Sequence, residues 1–409
     1  MSWNRKLPAE VLAERRDPVD AETLAAAAVI VQDVRTRGEA GLVEHARRLG
    51  DLDDGPLVVE REGLRAAWAS LTSADQALLS RVADRIRAFC EAQLAALGPV
   101  SVEVPGGRAG LRYAPVERAG CYAPGGRFPL PSSVLMTAVT ARAAGVREVW
   151  VASPRPSVET LAAAWIAGAD AVLAVGGAQA VAALAYGAGP VPACDAVVGP
   201  GNRWVTAAKQ LVAGRVAIDM LAGPSELVVV AAPDADPGQV AADLLAQAEH
   251  DPDALPVLVA LDEGIAAATE RALIEQLETL PTAAIARQAL ENGYAVVADA
   301  DEAVAICDRL APEHLALHGC EELAERLSHY GGLFVGADAA EVLGDYGVGP
   351  NHVLPTGGTA RSCGALSVVT FLRVQTWLQG GAATAEDAAR LARMEGLEAH
   401  ARAAERRIG

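Results

Sequence analysis

Aromatic residues are scarce. Phe, Trp and Tyr make up 4% of the 409 residues, although 52% are hydrophobic. The core must therefore be built from Ala, Val and Leu, which suits helices packed on a buried parallel sheet. The six cysteines, Cys90, Cys121, Cys194, Cys307, Cys320 and Cys363, contain no C-x-x-C pair. That excludes zinc ribbons and thioredoxin-like motifs. No uninterrupted apolar run is long enough to span a bilayer, and none follows the charged start Met1-Ser-Trp-Asn-Arg-Lys6. The expected setting is the cytoplasm, with reduced thiols. Positive charge is in deficit, with 34 Lys and Arg against 52 Asp and Glu and a net charge of -18. This balance argues against nucleic acid or an anionic membrane as the main partner.

What is present is an α/β rhythm long enough for two or more domains. Residues 1–20 read as a polar N-terminal arm, and 21–114 as a mainly helical part that is expected to pack on the second α/β domain. Short β-branched runs at 149–152, 171–175 and 196–198 are separated by Ala-rich helical stretches, the βαβ signature. A second series lies at 227–231, 256–261, 294–298, 314–317 and 332–335. The fold class expected is two open, mainly parallel Rossmann-like sheets flanked by helices, the first over 115–225 and the second over 226–360. Residues 361–409 form a C-terminal helical tail, with a charged helix over about 386–407. Such a tail docks on its own body or on another subunit. No internal sequence repeat is visible.

Three glycine turns fall on the first sheet. Gly120-Cys-Tyr-Ala-Pro-Gly-Gly126, followed by Pro129-Leu-Pro-Ser-Ser133, offers backbone N–H groups to an anion, or is an ordinary turn and helix cap. Gly176-Gly-Ala-Gln-Ala180 and Gly199-Pro-Gly-Asn-Arg203 follow strands at the edge where open α/β sheets bind ligands. None has the G-x-G-x-x-G spacing, so a nucleotide site here is atypical, with Tyr122, Gln179 and Asn202 as candidate contacts. Ile218-Asp-Met-Leu-Ala-Gly-Pro-Ser-Glu226 joins the two sheets. Ser225 there is a helix cap or a substrate contact, and no G-x-S-x-G elbow makes it a nucleophile.

The second sheet carries the polar clusters. Asp243-Leu-Leu-Ala-Gln-Ala-Glu-His250 ends a helical run, with Gln247 and His250 three apart on one helix face. They are half of a metal site, or a helix end where His favours the dipole. Pro312-Glu-His-Leu315 sets an acid beside an imidazole, an acid–base pair or a salt-bridged surface pair. Gly344-Asp-Tyr-Gly-Val-Gly-Pro-Asn-His352 is a loop with a carboxylate and an imidazole. The chain has seven histidines. Four of them, His250, His314, His352 and His400, lie in these clusters or near Glu395, each with an acid or amide close by. Imidazole with carboxylate oxygen suits zinc or another borderline divalent ion. On a straight helix Glu395 and His400 diverge by roughly 140°, so they serve different atoms.

In this order the blocks Gly120-Cys-Tyr-Ala-Pro-Gly-Gly, Gly177-Ala-Gln-Ala, Gly199-Pro-Gly-Asn, Ala222-Gly-Pro-Ser-Glu, Gln247-Ala-Glu-His, Pro312-Glu-His-Leu, Gly344-Asp-Tyr and Asn351-His-Val-Leu-Pro resemble the histidinol dehydrogenase family. The resemblance runs from about residue 35 to 400. It implies NAD-dependent four-electron oxidation of L-histidinol to L-histidine through L-histidinal, the end of histidine biosynthesis. By motif position, one zinc per subunit would be held by Gln247, His250, Asp345 and His400. Glu313 and His314 would be the acid–base pair. Ser225, His352 and Glu395 would contact substrate together with His314 and the metal-site residues, and Tyr122, Gln179 and Asn202 would contact NAD. The resemblance also implies a homodimer whose exchanged tail brings Glu395 and His400 to the neighbour's site. Cys121 occupies a position usually apolar in the family, and the N-terminal arm aligns poorly. Related scaffolds oxidise other alcohols, sulfonated diols among them; His352 and Glu395 favour histidinol. A metal-dependent hydrolase has no use for the glycine turns, and a binding protein has none for Glu313 beside His314.

Overall fold

The computed structural model describes residues 3–14, 19–53, 55–125 and 129–408. Gly126 of the first glycine turn and part of the N-terminal arm lie outside the described residues. The described strands, in chain order, are β1 (Val58–Glu60), β2 (Val100–Val104), β3 (Gly107–Pro115), β4 (Arg118–Tyr122), β5 (Glu148–Ala152), β6 (Ala171–Leu173), β7 (Ala196–Val198), β8 (Ala217–Ile218), β9 (Glu226–Ala231), β10 (Leu255–Ala260), β11 (Tyr294–Val297), β12 (His314–His318), β13 (Gly332–Val335) and β14 (Leu372–Gly380).

Two open sheets form the body. The first has the order β1-β6-β5-β4-β7-β8 and is parallel except for the antiparallel edge pair β1–β6. The second, β11-β10-β9-β12-β13, is parallel throughout. The central strands of the second sheet bury every residue: Glu226 to Ala231 in β9 and His314 to His318 in β12. Burial on both faces is why these segments read as continuous Val/Leu runs rather than alternating ones. Alanine lets the flanking helices approach closely; helix Gly177–Tyr186 buries all its residues from Ala178 to Ala185.

Both sheets follow one path. The first parallel strand takes the centre, the next two add on one side, and the chain then crosses to the other side for two more. Each sheet thus has a switch point, between β4 and β7 in the first and between β9 and β12 in the second. The repetition that the sequence does not display is present in the topology.

Three features depart from the sequence reading. First, the helices between 21 and 97 pack on the first sheet, not on the second. Ala27, Val31, Val34 and Leu42 join the core around helix Gly177–Tyr186, and Leu64, Ala83, Ile86 and Cys90 join the core around helix Pro131–Ala143. The apolar faces of the Ala-rich helices of the first sheet would otherwise meet water. The second sheet is served by the N-terminal arm instead: Trp3 enters its core, and Asn4 and Lys6 hydrogen-bond to Ala295 of β11. Second, the end of the part expected to be mainly helical is the hairpin β2–β3, which joins β14 in an antiparallel three-stranded sheet. Third, the tail helix is two helices, Ala385–Met394 and Glu398–Glu405, broken at Gly396 with φ 78°. They pack on each other through Ala389, Ala392 and Ala401. No described helix is long and apolar enough to cross a membrane.

Candidate active site

The helix Pro237–Ala248 is started by the Asp236 side chain, which accepts from the Gly238 N–H, and it stops at Glu249. Gln247 therefore sits in the last turn, while His250 lies just beyond the helix in the following turn. The two do not share a helix face as the sequence spacing assumed. Gln247 is fully buried, and neither atom of its amide has a hydrogen-bond partner. His250 is half-exposed, with Nε2 3.8 Å from Asp345 Oδ2.

Asp345 ends a short helix, Glu341–Asp345, where the sequence reading expected only a loop. Helical spacing puts Glu341 one turn ahead of it on the same face. Ligand-type atoms of His250, Glu341 and Asp345 all lie within 4.8 Å of one another, the one such group among the described residues. The sequence reading missed Glu341; its i, i+4 spacing from Asp345 was the available signal. His352 closes the cluster from the side. Its Nδ1 is 3.0 Å from the Asp345 carbonyl oxygen and its Nε2 is 3.3 Å from Ser133 Oγ. Ser133 belongs to helix Pro131–Ala143, which follows β4 and the first glycine turn, so this histidine ties the second sheet's cluster to the edge of the first.

Glu313 and His314 enter β12 from its amino end, and both are buried, 8% and 4% exposed, which excludes a surface salt bridge. Glu313 Oε2 accepts from the Ser225 hydroxyl at 2.6 Å and from the Glu226 N–H at 3.0 Å. Ser225 thus holds the acid in place. Burial outweighs these donors and pushes the Glu313 carboxyl up to about 8. His314 Nδ1 lies 3.3 Å from the Glu226 carbonyl oxygen, with Glu313 and Glu341 oxygens 3.7 and 3.8 Å away. A nitrogen surrounded by acceptors carries the proton, which leaves Nε2 as the basic lone pair. Burial lowers the His314 imidazole to about 4, so it is neutral at physiological pH. Glu341 is raised well above the carboxylate range by burial first, then by the charges of Asp345 and Glu313.

The three expected nucleotide contacts stand along the carboxyl edge of the first sheet. Tyr122 ends β4, and its buried hydroxyl accepts from the Gly177 N–H at 3.1 Å. The Gln179 amide nitrogen donates to Asp51 Oδ2 at 2.8 Å, and its buried oxygen is left without a partner. Asp51 Oδ2 also accepts from the Gly176 N–H at 3.1 Å. Two donors at the start of helix Gly177–Tyr186, the Gly176 and Gly177 N–H groups, are therefore already taken by Asp51 and Tyr122. Asn202 is exposed and caps helix Arg203–Val212, accepting from the N–H groups of Trp204 and Val205. Tyr122 and Asn202 flank the switch point between β4 and β7. The turn between them is braced by a fully buried ion pair, Lys209 with Asp219: Lys209 Nζ donates to the Gly199 carbonyl at 2.9 Å, and Asp219 Oδ2 accepts from its N–H at 2.7 Å.

Glu395 and His400 are not brought to this cluster within the chain. Both are exposed on the tail hairpin, Glu395 as the last residue before the Gly396 break. The straight-helix argument about their directions therefore does not apply.

An imidazole and two carboxylates converge on one place, and the buried, unpartnered Gln247 amide stands three residues before that imidazole; these are donors of the type that fits zinc or a similar divalent ion. The family model described as histidinol dehydrogenase matches residues 13–408. The chain is 47% identical to the histidinol dehydrogenase of Thermus thermophilus, over 91% of this chain and 92% of that one. It is likewise 47% identical to that of Nitratidesulfovibrio vulgaris, over 97% and 94%. The crystal structure of histidinol dehydrogenase from Elizabethkingia anophelis superposes with a TM-score of 0.92 at 29% identity, covering 99% of this chain and 98% of that one. The chain belongs to the histidinol dehydrogenase family of oxidoreductases.

Proposed function

We propose that this enzyme oxidises L-histidinol to L-histidine through L-histidinal, with two NAD consumed in succession and one zinc per subunit positioning the substrate. The observation that carries this reading is the buried pair Glu313 and His314 set beside the converging donors His250, Glu341 and Asp345. Gln247, His250 and Asp345 would hold the ion from one subunit, and His400 of a second copy would complete the set. When bound, zinc supplies a template for the substrate's amine and ring nitrogen, and NAD takes up a hydride in each of the two oxidations.

The chain's own groups do the proton work. His314 is neutral and unprotonated at Nε2, so it takes the alcohol proton as the carbon gives up its hydride. Glu313, as carboxylate, takes a proton from the water that adds to the aldehyde. The resulting hydrate then loses a second hydride and a proton to give the acid. His352, joined to Asp345 and Ser133, orients the substrate ring beside Ser225, and Glu395 of the partner's tail reads the amino alcohol from the other side. Tyr122, Gln179 and Asn202 line the cofactor's edge. Enclosing the aldehyde between these groups keeps it from escaping before the second step. The tail's exposed apolar side chains support a homodimer, and the cytoplasm is the compartment that the reading implies.

The test is direct. Protein with NAD and L-histidinol should yield two NADH per histidinol, followed by absorbance. A stoichiometry of one rules out the four-electron course, and faster turnover of a sulfonated diol assigns a different substrate.

A further inference from the structure

Glu341 is the buried carboxylate at this site with no part assigned by the motifs. It opens helix Glu341–Asp345 and is 3% exposed. Its Oε1 is 3.8 Å from His314 Nδ1, which is too long for a hydrogen bond, and its Oε2 is enclosed without any partner. A carboxylate buried in this way has lost its water and gained nothing in return. Two further observations point to what is meant to meet it. Its ligand atom lies within 4.8 Å of those of His250 and Asp345. Two ligands bonded to one zinc at about 2 Å each stand at most about 4 Å apart, so small side-chain rotations bring all three onto a single ion. Gln247, in the helix just before His250, adds a second enclosed group whose amide atoms lack partners.

We propose that Glu341 is itself a ligand of the divalent ion, completing with Gln247, His250 and Asp345 a four-donor set supplied by one subunit. The proposal rests on the reading of this cluster as a metal centre. Two carboxylates, one imidazole and one amide balance the charge of a divalent cation and satisfy a tetrahedral count. A subunit so equipped keeps its ion before the partner's tail arrives. The His400 imidazole and the substrate's nitrogens then enter at the expense of the Glu341 oxygen, which has His314 Nδ1–H close by to turn to. The competing view, in which Glu341 serves only as a charge beside His314, leaves metal affinity independent of this residue.

The experiment uses the full-length protein stripped with a chelator and refilled with Zn2+ against a chromophoric competitor. A parallel titration with Co2+ follows the visible absorption. His400→Asn should still take up one ion per subunit. Glu341→Gln should weaken zinc by about tenfold or more and alter the cobalt spectrum, since loss even of an outer partner to a metal ligand costs 10–100-fold. The double variant should lose stoichiometric binding. Binding of Glu341→Gln within roughly twofold of wild type, with an unchanged cobalt spectrum, overturns the proposal. Glu341→Asp, which keeps the charge on a shorter arm, decides the matter if the glutamine variant does not fold: an unchanged cobalt spectrum there overturns it too. His250→Asn serves as reference. If wild type and His250→Asn both fail to bind either ion, the metal-centre reading itself falls, which is distinct from loss of Glu341 alone.

Discussion

Burial pushes the Glu313 carboxyl up to about 8 and the His314 imidazole down to about 4, each away from its charged form. The two shifts have different kinetic signatures. Under the proposed reading His314 is an unprotonated base across the neutral range, so it should add no pH limb to alcohol oxidation there. Glu313 is protonated below its raised value and ionises as pH rises, so the aldehyde step should climb between about pH 6 and 8 and then level. Histidinal oxidation measured alone would check this; a rate falling over that range would refute it. Ser225→Ala removes a hydroxyl that stabilises the carboxylate, which raises Glu313 further and should move the limb to higher pH. His314→Asn should slow the hydride step of alcohol oxidation, and Glu313→Gln mainly the aldehyde step, each by roughly 10²–10⁴-fold in single-turnover measurements. Equal losses in both steps would deny the division of labour. The buried Glu313–His314 pair, proposed here as acid and base, was picked out in the sequence because Pro-Glu-His-Leu is distinctive. Glu341 left only its i, i+4 spacing from Asp345 as a sign, an ordinary helical pattern, and burial is not written in five residues.

Among the elements, the first glycine turns depend on neighbours that no local pattern reveals. Gly199 has φ 120°, and a Cβ there would lie 2.0 Å from the Tyr122 carbonyl oxygen. Its peptide groups are held by Lys209 and Asp219, two charges with almost no access to water. Removing one partner leaves the other uncompensated, so Lys209→Met should cost about 3–5 kcal/mol, read from urea unfolding. Replacing both, as Lys209→Met with Asp219→Leu, should cost less than the single change. If the double variant is the less stable of the two, the pair is not what fixes the turn. The parallel strands were legible as Val-rich runs at even spacing. The three-stranded sheet was not, because β2 is exposed along most of its length and β14 comes from the far end of the chain. Gly396, which breaks the tail helix, was in view but did not register against the charged periodicity around it.

At the scale of the whole molecule, the tail leaves many of its apolar side chains uncovered. The edge strand β14 exposes Val374 at 60% and Leu378 at 66%, and the hairpin beyond it exposes Leu391 at 57% and Met394 at 78%. An unpaired edge with apolar side chains is normally covered, here by a second copy under the reading above. If the tail serves the neighbour, two dead homodimers can rescue each other. A His314→Asn subunit still donates an intact tail, and a His400→Asn subunit still has an intact body. Subunit exchange at equal amounts should restore about a quarter of wild-type activity, since half the dimers are hybrids with one good site. No recovery, with exchange shown by mass, would place His400 in cis. Only the resemblance pointed to this proposed assembly; no residue pattern did, because completeness of a shared site is a property of two chains.

The Asp51 carboxylate sits where a helix start would ordinarily greet a phosphate. Under the proposed reading, a dinucleotide arriving at this edge would meet a like charge there and would be held less deeply. If the enzyme does discard one spent carrier and admit another while its intermediate stays put, as proposed, such weak mooring would be an advantage, because exchange would be quick and the aldehyde would not wait.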